Sequence, residues 1–176
     1  MQALLIPVAR GLGALSSLAL WLSGFALVSM TLIVGAQIIF RYALNSSLVW
    51  SEPIAVLLMG WFIFLGSAVG TREGFHMSFD LLTHLMPDPV RRGLESMSDA
   101  VVLLFGLAMA VYGLQLCVAA WGSRMPAIGL PDGVGFIPVI LGGVLVALFS
   151  LERLARRAAG LPTASTSATQ QHLNEV

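Results

Sequence analysis

Lysine is absent, cysteine occurs once, and charge of either sign is scarce: nine Arg and nine Asp or Glu make up 10% of the 176 residues. Each shortage excludes something. A soluble domain carries roughly 25% charged residues. A small domain also leaves too much surface exposed to conceal a chain that is 57% hydrophobic. The natural solvent for this chain is lipid. Equal numbers of opposite charges give no net field to draw nucleic acid. With Cys117 alone there is no internal disulfide, and no cysteine pair for a disulfide-forming membrane oxidoreductase. Cys117 sits in an apolar run and reads as a small lipid- or helix-facing side chain. The Arg-only basic set is a compositional bias that carries no mechanism.

What is present is a series of charge-free windows. Thirty uncharged residues separate Arg10 from Arg41, nineteen separate Glu52 from Arg72, twenty-four separate Asp99 from Arg124, and nineteen separate Asp132 from Glu152. A helix crosses the hydrocarbon core with about 20 apolar residues. The fold class expected is therefore all-α integral membrane, with four transmembrane helices near 20–41, 52–71, 100–123 and 133–151. Continuous rather than alternating apolar runs argue against barrel strands. The first window is too long for one upright helix. Trp21 and Tyr42 suit the two membrane interfaces, which leaves 3–18 as a separate interfacial helix with Leu5, Val8, Leu12 and Leu15 on its apolar side. A single long tilted helix is the alternative.

Arginine distribution orients the spans. With the N-terminus inside, Arg10, Arg72, Arg91, Arg92, Arg153, Arg156 and Arg157 are cytoplasmic, and only Arg41 and Arg124 face outward. That is a positive-inside bias that puts both termini in the cytoplasm. The membrane domain covers 1–160. The tail over 161–176 is Ser/Thr/Ala/Gln-rich without hydrophobic period, and is expected to be a disordered cytoplasmic segment.

Two connections concentrate the remaining charge. In "GTREGFHMSFDLL" (70–82), Phe75, Phe79, Leu82 and Met86 recur at helical steps, with His76, Asp80 and Thr83 opposite them. This predicts an amphipathic interfacial helix over 75–86, ended by "MPDP". In "RYALNSSLVWSEP" (41–53), Ser51 suits a helix N-cap, Glu52 the positive helix terminus, Trp50 the interface and Pro53 the first turn. An Arg41–Glu52 ion pair is a sharper reading of the same hairpin. Gly66-x-x-x-Gly70, Gly106-x-x-x-Ala110 and Gly143-x-x-x-Ala147 permit close helix approach. Gln37 and Gln115 are expected to bond across helices, and Pro138 to kink the fourth. No span carries an ionisable residue at its centre, where coupled carriers usually place one; Asp99 and Glu152 stand at span ends.

The charged clusters, taken together, resemble the small membrane (DctQ-like) subunit of the tripartite ATP-independent periplasmic, or TRAP, transporters. Arg41, Tyr42, Trp50 and Glu52 match an Arg-aromatic motif followed by Trp-x-Glu. Arg72, Glu73, Gly74, His76 and Asp80 match Arg-Glu-Gly-x-His-x-x-x-Asp. The sequence departs at Pro53, where many members have a second acid. The resemblance covers roughly 15–158 and implies a scaffold role with no enzyme activity and no cofactor. It also implies a large membrane subunit that holds the sodium and substrate sites, a periplasmic binding protein that delivers an organic acid, and residence in the bacterial inner membrane. On that expectation Arg124 and Asp132 are candidate contacts for the periplasmic partner.

Two rival classes are weaker. A stand-alone four-helix transporter would want a membrane carboxylate in its first span, which holds none. A membrane-anchor subunit of a redox enzyme would want haem-ligating His within spans, yet His76, His84 and His172 all fall outside them.

Overall fold

Apolar runs in a chain with so few charges become helices because a helix satisfies every backbone N–H and C=O within itself. The computed structural model describes residues 2–73 and 88–158. It contains four long helices: α1 (Gln2–Ala43), α2 (Ser51–Glu73), α3 (Asp88–Ala119) and α4 (Ile137–Ala158). Each includes a stretch long and apolar enough to cross a membrane. Two short 3-10 turns, Ala120–Gly122 and Asp132–Phe136, lie between α3 and α4. The protein is an all-α, four-span membrane protein.

The N-terminal stretch is one helix, not a separate 3–18 helix followed by a span. α1 runs for 42 residues, about 63 Å at 1.5 Å per residue. Its packing explains the continuity. Ser16, Ala19, Ser23 and Ala26 are all buried, at steps of three, four and three. They form one seam that crosses the expected boundary without a break. Small side chains there let α1 lie close to α2, and the Ser23 hydroxyl donates to the Phe62 carbonyl at 3.1 Å. Gly66 faces the same point: a Cβ there would stand 3.2 Å from Ser23 Oγ. α1 ends where Asn45 takes a positive φ of 49°, which Asn tolerates, and the Ser46 N–H turns back to the Phe40 carbonyl.

The helices alternate in direction. Extensive contacts join α1 to α2, α2 to α4 and α4 to α3, so α4 is central and α1 and α3 lie at the edges. Adjacent glycines give α4 its two close neighbours. A Cβ on Gly142 would stand 2.7 Å from Phe64 Cβ of α2, and one on Gly143 would stand 2.8 Å from the Gly106 carbonyl of α3. Gly106 answers in kind, with its Cβ position 2.8 Å from the Ala147 nitrogen. The Gly106/Ala110 and Gly143/Ala147 motifs therefore interlock. Ala68, Val146 and Phe149 make one buried cluster, with Leu12, Val102 and Leu145 packed on it. Pro138 does not kink α4: it sits in the first turn, fully buried, where its missing N–H has no helical partner to lose, and its ring faces Gly60.

Candidate functional site

Charged and polar groups gather at the two ends of the helices. One end holds the last turn of α2, the first turns of the spanning part of α3 and the last turns of α4. Phe149, Glu152 and Arg153 occupy positions i, i+3 and i+4 of α4 and so share a face. Arg72 of α2 lies over the Phe149 ring at 5.5 Å, pairs with Glu152 (Nε to Oε2, 3.7 Å), and rests beside Gly13 of α1. Arg153 donates to the Thr71 carbonyl of α2 at 2.7 Å and pairs with Asp99 of α3 at 3.5 Å. Two arginines and two carboxylates thus tie α2, α3 and α4 together in a neutral cluster. The Arg153 and Asp99 side chains are only 11% and 3% exposed. At that burial each charge depends on its partner.

The opposite end holds the 41–52 hairpin and the connection from 123 to 136. Trp50 and Glu52 are exposed and Ser51 is fully buried. The Ser51 hydroxyl donates to the Leu48 carbonyl at 2.6 Å, closing the turn that precedes α2, and Ser51 is itself the first residue of that helix. No ion pair joins Arg41 to Glu52 among the described residues. The Arg41 guanidinium instead lies 6.0 Å from the ring of neighbouring Tyr42, and both side chains are exposed. In the second connection, Asp132 N–H bonds the Ser123 carbonyl and Met125 N–H bonds the Leu130 carbonyl. Ala127 and Gly129 turn the loop at positive φ, and Arg124 donates to the Gly129 carbonyl at 3.4 Å. An open cleft of about 460 Å³ lies between the two connections, lined by Val49, Glu52, Pro53, Val56, Met125 and Pro126 among others. Arg41, Trp50, Glu52, Arg124 and Asp132 are thereby brought to one end.

Gly74, His76 and Asp80, and the expected 75–86 helix, lie outside the described residues, as does the 161–176 tail. Glu73 closes α2. Gln37 and Gln115 make no side-chain hydrogen bond among the described residues, contrary to the expected cross-helix bonds; Gln37 is half-buried and Gln115 exposed. Sequence reasoning took Asp99 and Glu152 as simple span-end charges and missed the cluster. The signal was there: opposite charges close three spans on one side of the membrane.

Comparison with known proteins decides the family. Residues 30–160 match the DctQ component of the tripartite ATP-independent periplasmic transporters. The chain belongs to the DctQ family of TRAP transporter components. Its relatives include the C4-dicarboxylate TRAP transporter small permease protein DctQ of Pseudomonas aeruginosa, 30% identical over 153 residues, which is 75% of this chain and 67% of that protein. The Vibrio cholerae protein of the same name is 26% identical over 52% of this chain and 39% of its own length. The sialic acid TRAP transporter permease protein SiaT of Haemophilus influenzae is 32% identical over 54% of this chain but only 15% of that protein. The chain thus spans well under two thirds of the latter two. As a DctQ-family member with four apolar helices, it is a multi-pass inner-membrane protein. The matched region contains all four charges of the cluster and both sides of the cleft.

Proposed function

We propose that this DctQ-family chain is the static small subunit of a TRAP transporter. In this reading it scaffolds a large membrane subunit for sodium-coupled uptake of an organic acid delivered by a periplasmic binding protein. The observation that carries the reading is the charge cluster. Arg72, Glu152, Arg153 and Asp99 are the charges shared between α2, α3 and α4, and they are engaged with one another across helices. Charges committed in this way brace helices. They are poorly placed to bind a solute and release it on the far side, which requires groups that exchange partners. Relatives named for C4-dicarboxylates and for sialic acid support an organic acid as the cargo.

The arginine asymmetry supports placing the cluster end and both termini in the cytoplasm. The cleft end then faces the periplasm, where Glu52, Arg124 and Asp132 would meet the binding protein. Family motif residues Arg41, Trp50, Glu52, Arg72, Glu73, Gly74, His76 and Asp80 take architectural roles and hold no cofactor. Reconstitution tests the reading. In liposomes with a sodium gradient and a panel of organic acids, the chain alone should give no specific uptake. Addition of the large subunit and binding protein should restore it. Uptake by the chain alone would overturn the scaffold role.

A further inference from the structure

An edge helix of a membrane protein meets either lipid or another protein, and polar groups on its outer face discriminate the two. α3 is an edge helix. Asp99, Gly106, Gly113 and Cys117 are buried along one side of it, with Gly106 and Gly113 against α4 and the Cys117 carbonyl against Gly133. At 100° per residue, Gln115 lies about 180° around the helix from Gly106. It points away from the rest of the chain and is exposed. Tyr112, one turn earlier on the same outer side, is 64% exposed.

Depth makes these two residues unusual. The third span runs through α3 from Asp99, in the ionic cluster, to Trp121, an exposed ring in the 3-10 turn that follows the helix. That is 22 residues, or about 33 Å, close to the hydrocarbon thickness. Tyr112 is nine residues from Trp121, about 14 Å, and so lies near the midplane. Helical side chains lean toward the N-terminus, which carries its hydroxyl deeper still. Gln115 is about 9 Å inside the Trp121 level. Tyrosine ordinarily sits at the interface. Neither side chain has a hydrogen-bond partner among the described residues. Two threonines of the spans behave differently: Thr31 and Thr71 bond back to the carbonyls of Leu27 and Ser67 on their own helices, which a tyrosine hydroxyl, held away from its own backbone by the ring, cannot do. Ala108 and Ala119 flank the pair along the same side, so another backbone can come close.

The geometry points to the outer face of α3, centred on Tyr112 and Gln115, as the docking face for a transmembrane helix of the large subunit that presents hydrogen-bonding groups at that depth. Lipid tails offer no acceptor or donor there, whereas a protein helix does. The inference rests on the scaffold reading and names the surface that reading requires.

The test uses the full chain co-expressed with the large membrane subunit. The photoreactive residue p-benzoylphenylalanine is placed at 112 or 115, and at 18 or 25 on the exposed side of α1 as controls. Crosslinks to the large subunit from 112 and 115, and not from 18 and 25, are the expected result. In parallel, Tyr112→Phe with Gln115→Leu should weaken the detergent-solubilised complex by roughly threefold per lost bond without altering the yield of the chain itself. If the complex co-purifies but crosslinks arise only from 18 or 25, or from none of the four, the α3 face is wrong while the scaffold reading stands. Crosslinks between two copies of this chain would overturn the inference in favour of self-association. If no complex with the large subunit forms at all, the scaffold reading fails and the inference fails with it.

Discussion

Replacing Arg153 with Met is expected to cost far more than replacing both Arg153 and Asp99. Arg153 links α4 to the Thr71 carbonyl of α2 at 2.7 Å and to Asp99 of α3 at 3.5 Å. The Asp99 side chain is 3% exposed, so water cannot replace the lost guanidinium. Removing one partner of such a pair destabilises a protein by about 3–5 kcal/mol, whereas substituting both by apolar groups of similar volume is often near neutral. Arg153→Met should therefore lie in the upper range for single changes. Asp99→Leu combined with Arg153→Met should recover most of the loss, keeping only the cost of the bond to Thr71, about 1 kcal/mol. The assay is the midpoint of denaturation in mild detergent, followed by the monodisperse fraction on size exclusion. At about 2–4 °C per kcal/mol for chains of this length, the single change should lower the midpoint by roughly 10 °C. Equal losses for the single and double variants would refute the coupling. A single-variant loss below about 1 kcal/mol would show that the pair is solvated like a surface salt bridge.

Gly143→Leu should separate α3 from α4, because the new Cβ alone would meet Ala110 and Gly106 backbone atoms at 2.8 Å. Overpacking of this kind costs about 1–3 kcal/mol, readable in the same denaturation assay. Charge reversal at Arg124 or Asp132 should lower uptake by the complete transporter more at low salt than at high salt, since screening erases exposed electrostatics; equal kinetics at both salts would exclude these residues from the docking rim. A periplasm-active reporter should be silent at the C-terminus and active when inserted within 124–132; the reverse pattern would invert the topology.

How far the sequence disclosed this architecture depends on the range of the interactions involved. Charge-free windows marked all four spans, because crossing a membrane is a local property of about 20 residues. The start of the first helix stays open in the sequence: Trp21 as an interface anchor suggests a separate 3–18 helix, one long helix is the alternative, and the structure shows the single helix. The decisive feature was the Ser16–Ala19–Ser23–Ala26 seam, which has meaning only once α2 is known to lie against it. Small-residue motifs were visible, but not that Gly106 would meet Gly143. Partner choice is a property of two helices, and a single sequence shows each helix alone. Ser51 looked like an N-cap by type and position, and only geometry revealed its hydroxyl donating backwards to Leu48.

The ionic cluster shows the same limit and draws in Arg72, the first residue of the charged stretch that closes α2. Arg72 begins the Arg-Glu-Gly stretch, and in isolation it marks the point where α2 leaves the membrane. In the folded chain its guanidinium is held on one side by the Phe149 ring and on another by Glu152, with Gly13 of α1 alongside. A solvated end-of-helix arginine needs none of these. Arg153 was likewise one of seven inside charges in the topology argument, interchangeable with Arg156 or Arg157. In the structure it is the donor that reaches two other helices. On the proposed topology, charges with one function during insertion acquire another after folding. Positive charge retained on one side orients the spans, and pairing with Asp99 and Glu152 then neutralises that charge where the helices close on it. A scaffold gains from this arrangement because it fixes three helices relative to one another at one membrane face. A carrier would have to break the same contacts on every cycle, at several kcal/mol for the buried Arg153–Asp99 pair.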